Sequence, residues 1–265
     1  MSAFETLLVE KRDGVDWLTL NRPEELNAIN PQMVHELGEY FSALYHSRDT
    51  RVVMMRGAGR AYCAGLDIKS DRDEDEIPFG GGFGFQGFLA DVYIKMRRCP
   101  QPIVSLIQGP ACGGGFAFAL ASDIRIAADN ARMNAAFIKI GLSSCDMGVS
   151  YFLPRLVGSS LAAELMLTGR FIHADRALTM GLVSQVVSED ELEAAGSALA
   201  EELMAASPMG LRMTKEGLNM AVDAGSLEAA MALENRNQIM TSRSPNFKEG
   251  MAAFLEKRAP NYKPE

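Results

Sequence analysis

The sequence predicts an α/β core followed by a helical tail, and three observations lead to that fold class. Two short apolar runs, residues 52–55 and Ile103–Ile107, are each followed within a few residues by glycine, as a buried parallel strand commonly is where it hands over to a loop and helix. Between them and before them lie segments whose apolar residues recur at helical spacing. Beyond Asp123 the helical spacing dominates.

At the start of the chain, apolar residues at 7–9 and Val15–Leu20 flank Asp13-Gly14, a turn signal that reads as a hairpin opening a sheet. Asn30-Pro31 supplies a helix cap with proline in the first turn, and Val34, Leu37, Phe41 and Leu44 follow on one helical face. Residues 70–87 combine an acidic run (Asp71, Asp73, Glu74, Asp75, Glu76) with a glycine-aromatic run, a composition expected to be mobile. Two readings of it stand: a lid over a site, or a solvated insertion. After Asp123, helices are expected at residues 151–157, 161–167, 175–180, 190–206, 209–223, 227–240 and 246–257, with residues 183–187 as the only strand.

With 265 residues, 48% hydrophobic and 23% charged, the chain has the balance of a soluble globular protein with ample core. Its apolar stretches are interrupted long before the roughly 20 residues a membrane span needs. The first ten residues lack the basic start and apolar run of a secretory signal, so a cytoplasmic location is expected. Cys63, Cys99, Cys112 and Cys145 are widely spaced, and His35, His46 and His173 show no ligand spacing, so no metal is expected. A net charge of -8 argues against nucleic acid, and an anionic ligand would need local cations.

Three segments are candidates for chemistry. Gly82-Phe83-Gly84-Phe85-Gln86-Gly87 fits G-x-G-x-x-G, but no strand runs into it and acidic residues precede it, so a dinucleotide site is rejected. Gly109 to Phe116 follows a buried strand and opens an apolar helix, where small residues let a ligand approach unpaired backbone N–H groups at the positive end of the helix dipole. Arg60 to Ile68 stands in the same relation to the preceding strand. Two such donors converging on one oxygen make an oxyanion hole, in which one donor is typically worth roughly 3 to 4 kcal/mol of transition-state stabilisation.

Taken in order, Asn21-Arg22-Pro23-Glu24-Glu25-Leu26-Asn27-Ala28, Tyr62-Cys63-Ala64-Gly65-Leu66-Asp67, the segment Gly109 to Gly115 and residues 246–258 resemble the successive signatures of the enoyl-CoA hydratase/isomerase (crotonase) family. The resemblance implies a crotonase-like spiral (ββα superhelix) core over residues 1–200 and a helical C-terminal region over residues 201–265 that builds a homotrimer or a dimer of trimers. It implies that the N–H groups of Leu66 and Gly114 hold the oxygen of an acyl-CoA thioester. Leu26, Ala28, Ala64, Asp67, Ile68 and Lys257 would contact coenzyme A, which is part of the substrate, so that no separate cofactor is needed.

Where typical hydratases of the family carry two glutamates, this sequence has Ala117 and Phe137, neither of which titrates. Asp146, on the segment between Gly141 and Pro154, lies close to the place where dienoyl-CoA isomerases of the family carry a proton-moving aspartate; the alternative is a turn or cap residue. Asp67 and Asp91 are the other carboxylates that could replace the missing pair. Ser143, Ser144 and Ser150 have no histidine in a recognisable relation, which argues against a hydrolase. The expected activity is double-bond isomerisation or a non-standard hydration through a thioester enolate; the competing class is a catalytically silent acyl-CoA binding protein.

Overall fold

The structure, a computed structural model, describes residues 4–69 and 82–264. In chain order its strands are β1 (Leu7–Arg12), β2 (Val15–Leu20), β3 (Val52–Gly57), β4 (Ile103–Ile107), β5 (Pro110–Cys112), β6 (Ile124–Ala128), β7 (Arg132–Asn134), β8 (Ile172–His173) and β9 (Gln185–Val187). The helices are α1 (Pro31–His46), α2 (Gly82–Arg98), α3 (Gly114–Ala121), α4 (Val149–Val157), α5 (Ser159–Thr168), α6 (Ala174–Thr179), α7 (Leu192–Met204), α8 (Pro208–Ala221), α9 (Leu227–Ser242) and α10 (Pro245–Glu256).

β1 and β2 pair antiparallel around a two-residue turn, and every later neighbour in the main sheet is parallel, in the order β1-β2-β3-β4-β6-β9. Being inside that sheet and covered on both faces, β2, β4 and most of β3 are buried throughout, so most of their residues are apolar and even Asp16, Thr19 and Ser105 are buried. A second, three-stranded sheet, β5-β7-β8, continues from the end of β4 and carries the chain into α3.

Asn30 caps α1 as its sequence position suggests, its Oδ1 accepting from the Met33 N–H at 2.9 Å, and Met33, Val34, Leu37, Phe41 and Leu44 enter the core. α2 packs on α1 and α3, with Lys95, Arg97 and Arg98 in its last turn, where cations suit the negative end of the dipole. Residues 82–87 are the first turns of α2, so the G-x-G-x-x-G stretch is helical rather than a strand-to-helix loop. The acidic part of the suggested lid lies outside the described residues.

The sequence reading of a single strand after Asp123 is corrected by β6, β7 and β8. β6 contains Arg125, which reads as a surface residue, yet the side chain is buried: its Nε donates to the Leu182 carbonyl at 2.7 Å and its Nη1 to the Ser122 carbonyl at 2.7 Å. Desolvation lowers this guanidinium to about 10, and the carbonyls at the end of α3 stand in for a counter-ion. β7 and β8, three and two residues long, are too short to give a periodic signal.

The core has two parts, one on each face of the main sheet. Residues of α1 to α6 share the core on one face with the second sheet; α7 covers the other, laying Leu192 and Ala200 over Trp17, Met54, Val104 and Leu106. The division at residues 200/201 therefore falls inside α7, a helix of the sheet layer. α8 is tied to that layer by buried Lys215, whose Nζ pairs with Asp123 Oδ2 at 2.8 Å and donates to the Gln101 carbonyl at 2.8 Å. α9, by contrast, buries no residue.

Candidate active site

The two small-residue segments singled out in the sequence meet where β3 and β4 end. Cys63 forms a parallel bridge to Ala111 of β5, its N–H donating to the Pro110 carbonyl and its carbonyl accepting from the Cys112 N–H at 2.9 Å. Leu66 forms a second bridge, to Ile29, in which the Gly65 carbonyl and the Asp67 N–H make the hydrogen bonds. In that pattern the N–H of Leu66 itself faces the other side. Gly114 opens α3, where an N–H has no partner one turn back.

These donors come from backbones in contact. A Cβ built on Gly65 would stand 2.7 Å from the Cys112 carbonyl oxygen and 3.6 Å from the Gly114 nitrogen. Gly65 has φ +97° and Gly113 φ +51°, conformations that residues with side chains rarely adopt, so the close approach needs glycine at both places. The arrangement can present two N–H groups to one oxygen atom. Burial pushes the neighbouring thiols up, Cys63 to about 12 and Cys112 to about 11, so neither is a thiolate nucleophile at neutral pH.

Around Gly114 the surroundings are largely apolar. Ile29 Cδ1, Met147 Sδ and Tyr93 Oη surround the position a Gly114 side chain would take, at 2.8, 3.0 and 3.1 Å. Ala117, one turn into α3, is fully buried, and the Phe137 ring lies against Gly113. Asp146 is half-buried; its Oδ1 accepts from the Met147 N–H at 2.8 Å and from Gln86 Nε2 at 2.5 Å. The Met147 side chain places this turn against Gly114, and Met147 itself has φ +48°, an uncommon backbone for a residue with a long side chain. Ser144 is turned away from this chemistry, donating to the Met166 carbonyl.

The segments implied to contact coenzyme A are knitted together: the Ala64 N–H donates to the Leu26 carbonyl and the Asp67 N–H to the Ile29 carbonyl, each at 2.9 Å. Ala28 is buried, Leu26 and Ala64 are half-buried, and Ile68 is 69% exposed. Asp67 is buried and paired with Arg22 at 3.0 Å, and Arg22 also donates to the Ala28 carbonyl. Lys257 lies on the exposed surface at the end of α10, which packs on α9. Asp91 pairs with Lys95 at 3.0 Å; two residues from Tyr93 on α2, it projects to nearly the opposite side of the helix. Sequence reasoning missed Ile29, Gln86 and Tyr93 as part of this site. The last two occupy one face of α2, and nothing in their spacing separates them from ordinary helix residues.

The profile of the enoyl-CoA hydratase/isomerase family matches residues 10–265. The chain is 38% identical over 265 residues to a Mycobacterium bovis protein named probable enoyl-CoA hydratase echA12, covering 98% of this chain and 93% of that one. It is 35% identical over 262 residues to the 1,2-epoxyphenylacetyl-CoA isomerase of Escherichia coli (strain K12), covering 97% and 98%. The crystal structure of an enoyl-CoA hydratase from Bacillus anthracis superposes with a TM-score of 0.92 at 30% identity, over 98% of this chain and 100% of that one. By its sequence, its fold and these relatives, the chain belongs to the enoyl-CoA hydratase/isomerase family, the crotonase family, as an enzyme acting on an acyl-CoA.

Proposed function

We propose that the chain moves a proton on the acyl group of an acyl-CoA thioester, isomerising a double bond or adding water with an acid/base set different from the usual two glutamates. The N–H groups of Leu66 and Gly114 hold the thioester oxygen, and Asp146 takes and returns the proton. Removing a proton from the acyl chain of a conjugated thioester places negative charge on that oxygen, where preorganised donors stabilise it. Returning the proton to a different carbon shifts the double bond with no change in composition. Leu26, Ala28, Ala64, Asp67, Ile68 and Lys257 contact the coenzyme A portion; because Arg22 holds the Asp67 carboxylate, that segment meets the ligand through its backbone.

The observation that carries this reading is the half-buried Asp146 carboxylate, joined to Gly114 through Met147, in a site with Ala117 and Phe137 at the two other family positions. The relatives' names include both a hydratase and an isomerase and leave the two reactions side by side. Mass spectrometry of saturated, 2-enoyl and 3-enoyl CoA thioesters incubated with the protein in deuterated water separates them. Deuterium gain or bond migration without added water is expected for the isomerase, and added water for the altered hydratase. Tight binding with no change in any thioester would overturn the proposal in favour of a silent binding protein.

We further propose a homo-oligomer, a trimer or dimer of trimers, formed through α8 to α10. α9 buries nothing, and Leu227, Phe254 and Leu255 are 71%, 80% and 74% exposed, more apolar surface than a solitary chain commonly shows to water. Light scattering is expected to give three or six times the 28.8 kDa chain mass, and the double substitution Phe254→Asp, Leu255→Asp is expected to lower it. A single-chain mass for the unaltered protein would exclude the assembly.

A further inference from the structure

We propose that Tyr93 is a positioning residue that locks Gly114 and the Asp146 turn in register with each other. The proposal rests on the reading of Gly114 as an oxyanion donor. Gly113, Gly114 and Gly115 stand in a row, and a run of glycines leaves a backbone freer than any other. A donor that must be in place before charge develops therefore needs an outside clamp.

Tyr93 is placed to be that clamp. The ring is buried and stacked on Phe118 of α3, with centroids 4.9 Å apart and planes at 23°, so its hydroxyl has a fixed origin. The hydroxyl donates to the Gly114 carbonyl at 3.1 Å and lies 3.2 Å from Met147 Sδ. It has one proton, and the carbonyl is the stronger acceptor. One side of the phenol thus holds the first residue of α3, while the other abuts the residue next to Asp146. Desolvation, with nearby acidic groups including Asp146, holds the phenol well above its ordinary pKa, so it remains a neutral donor. Rotating Gly114, or sliding the Asp146 turn away from it, breaks a contact to the same oxygen atom.

Tyr93→Phe removes that oxygen and keeps the ring, so the fold is retained. The readout is the red shift in absorbance of a conjugated dienoyl-CoA on binding, which reports polarisation of the thioester carbonyl, together with kcat and KM on whichever thioester the protein turns over. Tyr40→Phe, which deletes another buried tyrosine hydroxyl, on α1 and bonded to Asp16 of β2, is the control for general loss of a buried hydrogen bond. Tyr93→Phe is expected to diminish the red shift and lower kcat about tenfold with KM within about twofold, and Tyr40→Phe to change neither. Equal red shift and kcat in Tyr93→Phe and the unaltered protein would overturn the proposal, as would equal losses in both variants. If the unaltered protein gives no red shift at all, the oxyanion reading itself fails, independently of Tyr93.

Discussion

Asp146→Asn is expected to lower turnover by about a hundred- to ten-thousandfold, the range a positioned acid/base group contributes, with thioester binding within about twofold. Asparagine has the same shape, and its amide oxygen can still accept from the Met147 N–H and from Gln86, so the turn that bears it is preserved. What is lost is the capacity to take a proton. The two other carboxylates the sequence offered are both engaged: Asp67 is held by Arg22 and Asp91 by Lys95, the latter on the far side of α2. Solvent deuterium incorporation into the acyl chain is the direct measure, since it registers proton abstraction even where no net product forms. Turnover and exchange at the unaltered rate would remove Asp146 from the mechanism and leave it a turn residue.

Gly114→Ala and Gly115→Ala, one residue apart, are expected to fail in different ways. At Gly114 the new methyl meets the ends of three side chains, Ile29 Cδ1 at 2.8 Å, Met147 Sδ at 3.0 Å and Tyr93 Oη at 3.1 Å, which can shift. The protein folds, but these shifts displace the donor and the turn bearing Asp146, and kcat/KM falls by about a hundredfold or more, as for loss of one oxyanion donor. At Gly115 the methyl meets the Cys63 carbonyl oxygen at 2.2 Å, backbone that cannot yield without opening the Cys63–Ala111 bridge. There the loss is in stability, about 3 kcal/mol by analogy with severe overpacking. Thermal unfolding read beside kinetics distinguishes the two. A Gly114→Ala enzyme with full activity would contradict the placement of the thioester oxygen at Gly114.

Much of this architecture was written in local chemistry. β2 and β4 were legible because both faces are covered, so that apolar residues cluster in short runs beside turn signals, and α1 because its cap, first-turn proline and apolar face all agree. The Leu66 and Gly114 segments were legible through the glycines that let two backbones touch. β6 was hidden by Arg125, whose burial depends on carbonyls at the end of α3 and on the Leu182 carbonyl before β9, a partner 57 residues away that only the fold brings close. Tyr93 was hidden for the same kind of reason. It shares α2 with Leu89, Val92 and Met96, all buried, and only the way α2 is turned against α3 distinguishes a tyrosine that fills the core from one whose hydroxyl reaches Gly114.

The ends of the main sheet bear on how copies of this chain can meet. A strand with an open side offers unpaired N–H and C=O groups to any passing strand, the route by which sheets recruit one another into fibrils. Here one border is β1, whose final residues Glu10, Lys11 and Arg12 are all charged, and the other is β9, only three residues long. Neither makes a good template for growth. Open-ended strand addition is thereby disfavoured at both borders, and the assembly proposed above would instead use the apolar helix surfaces at the C-terminus, where contacts made by a fixed number of copies can close on themselves.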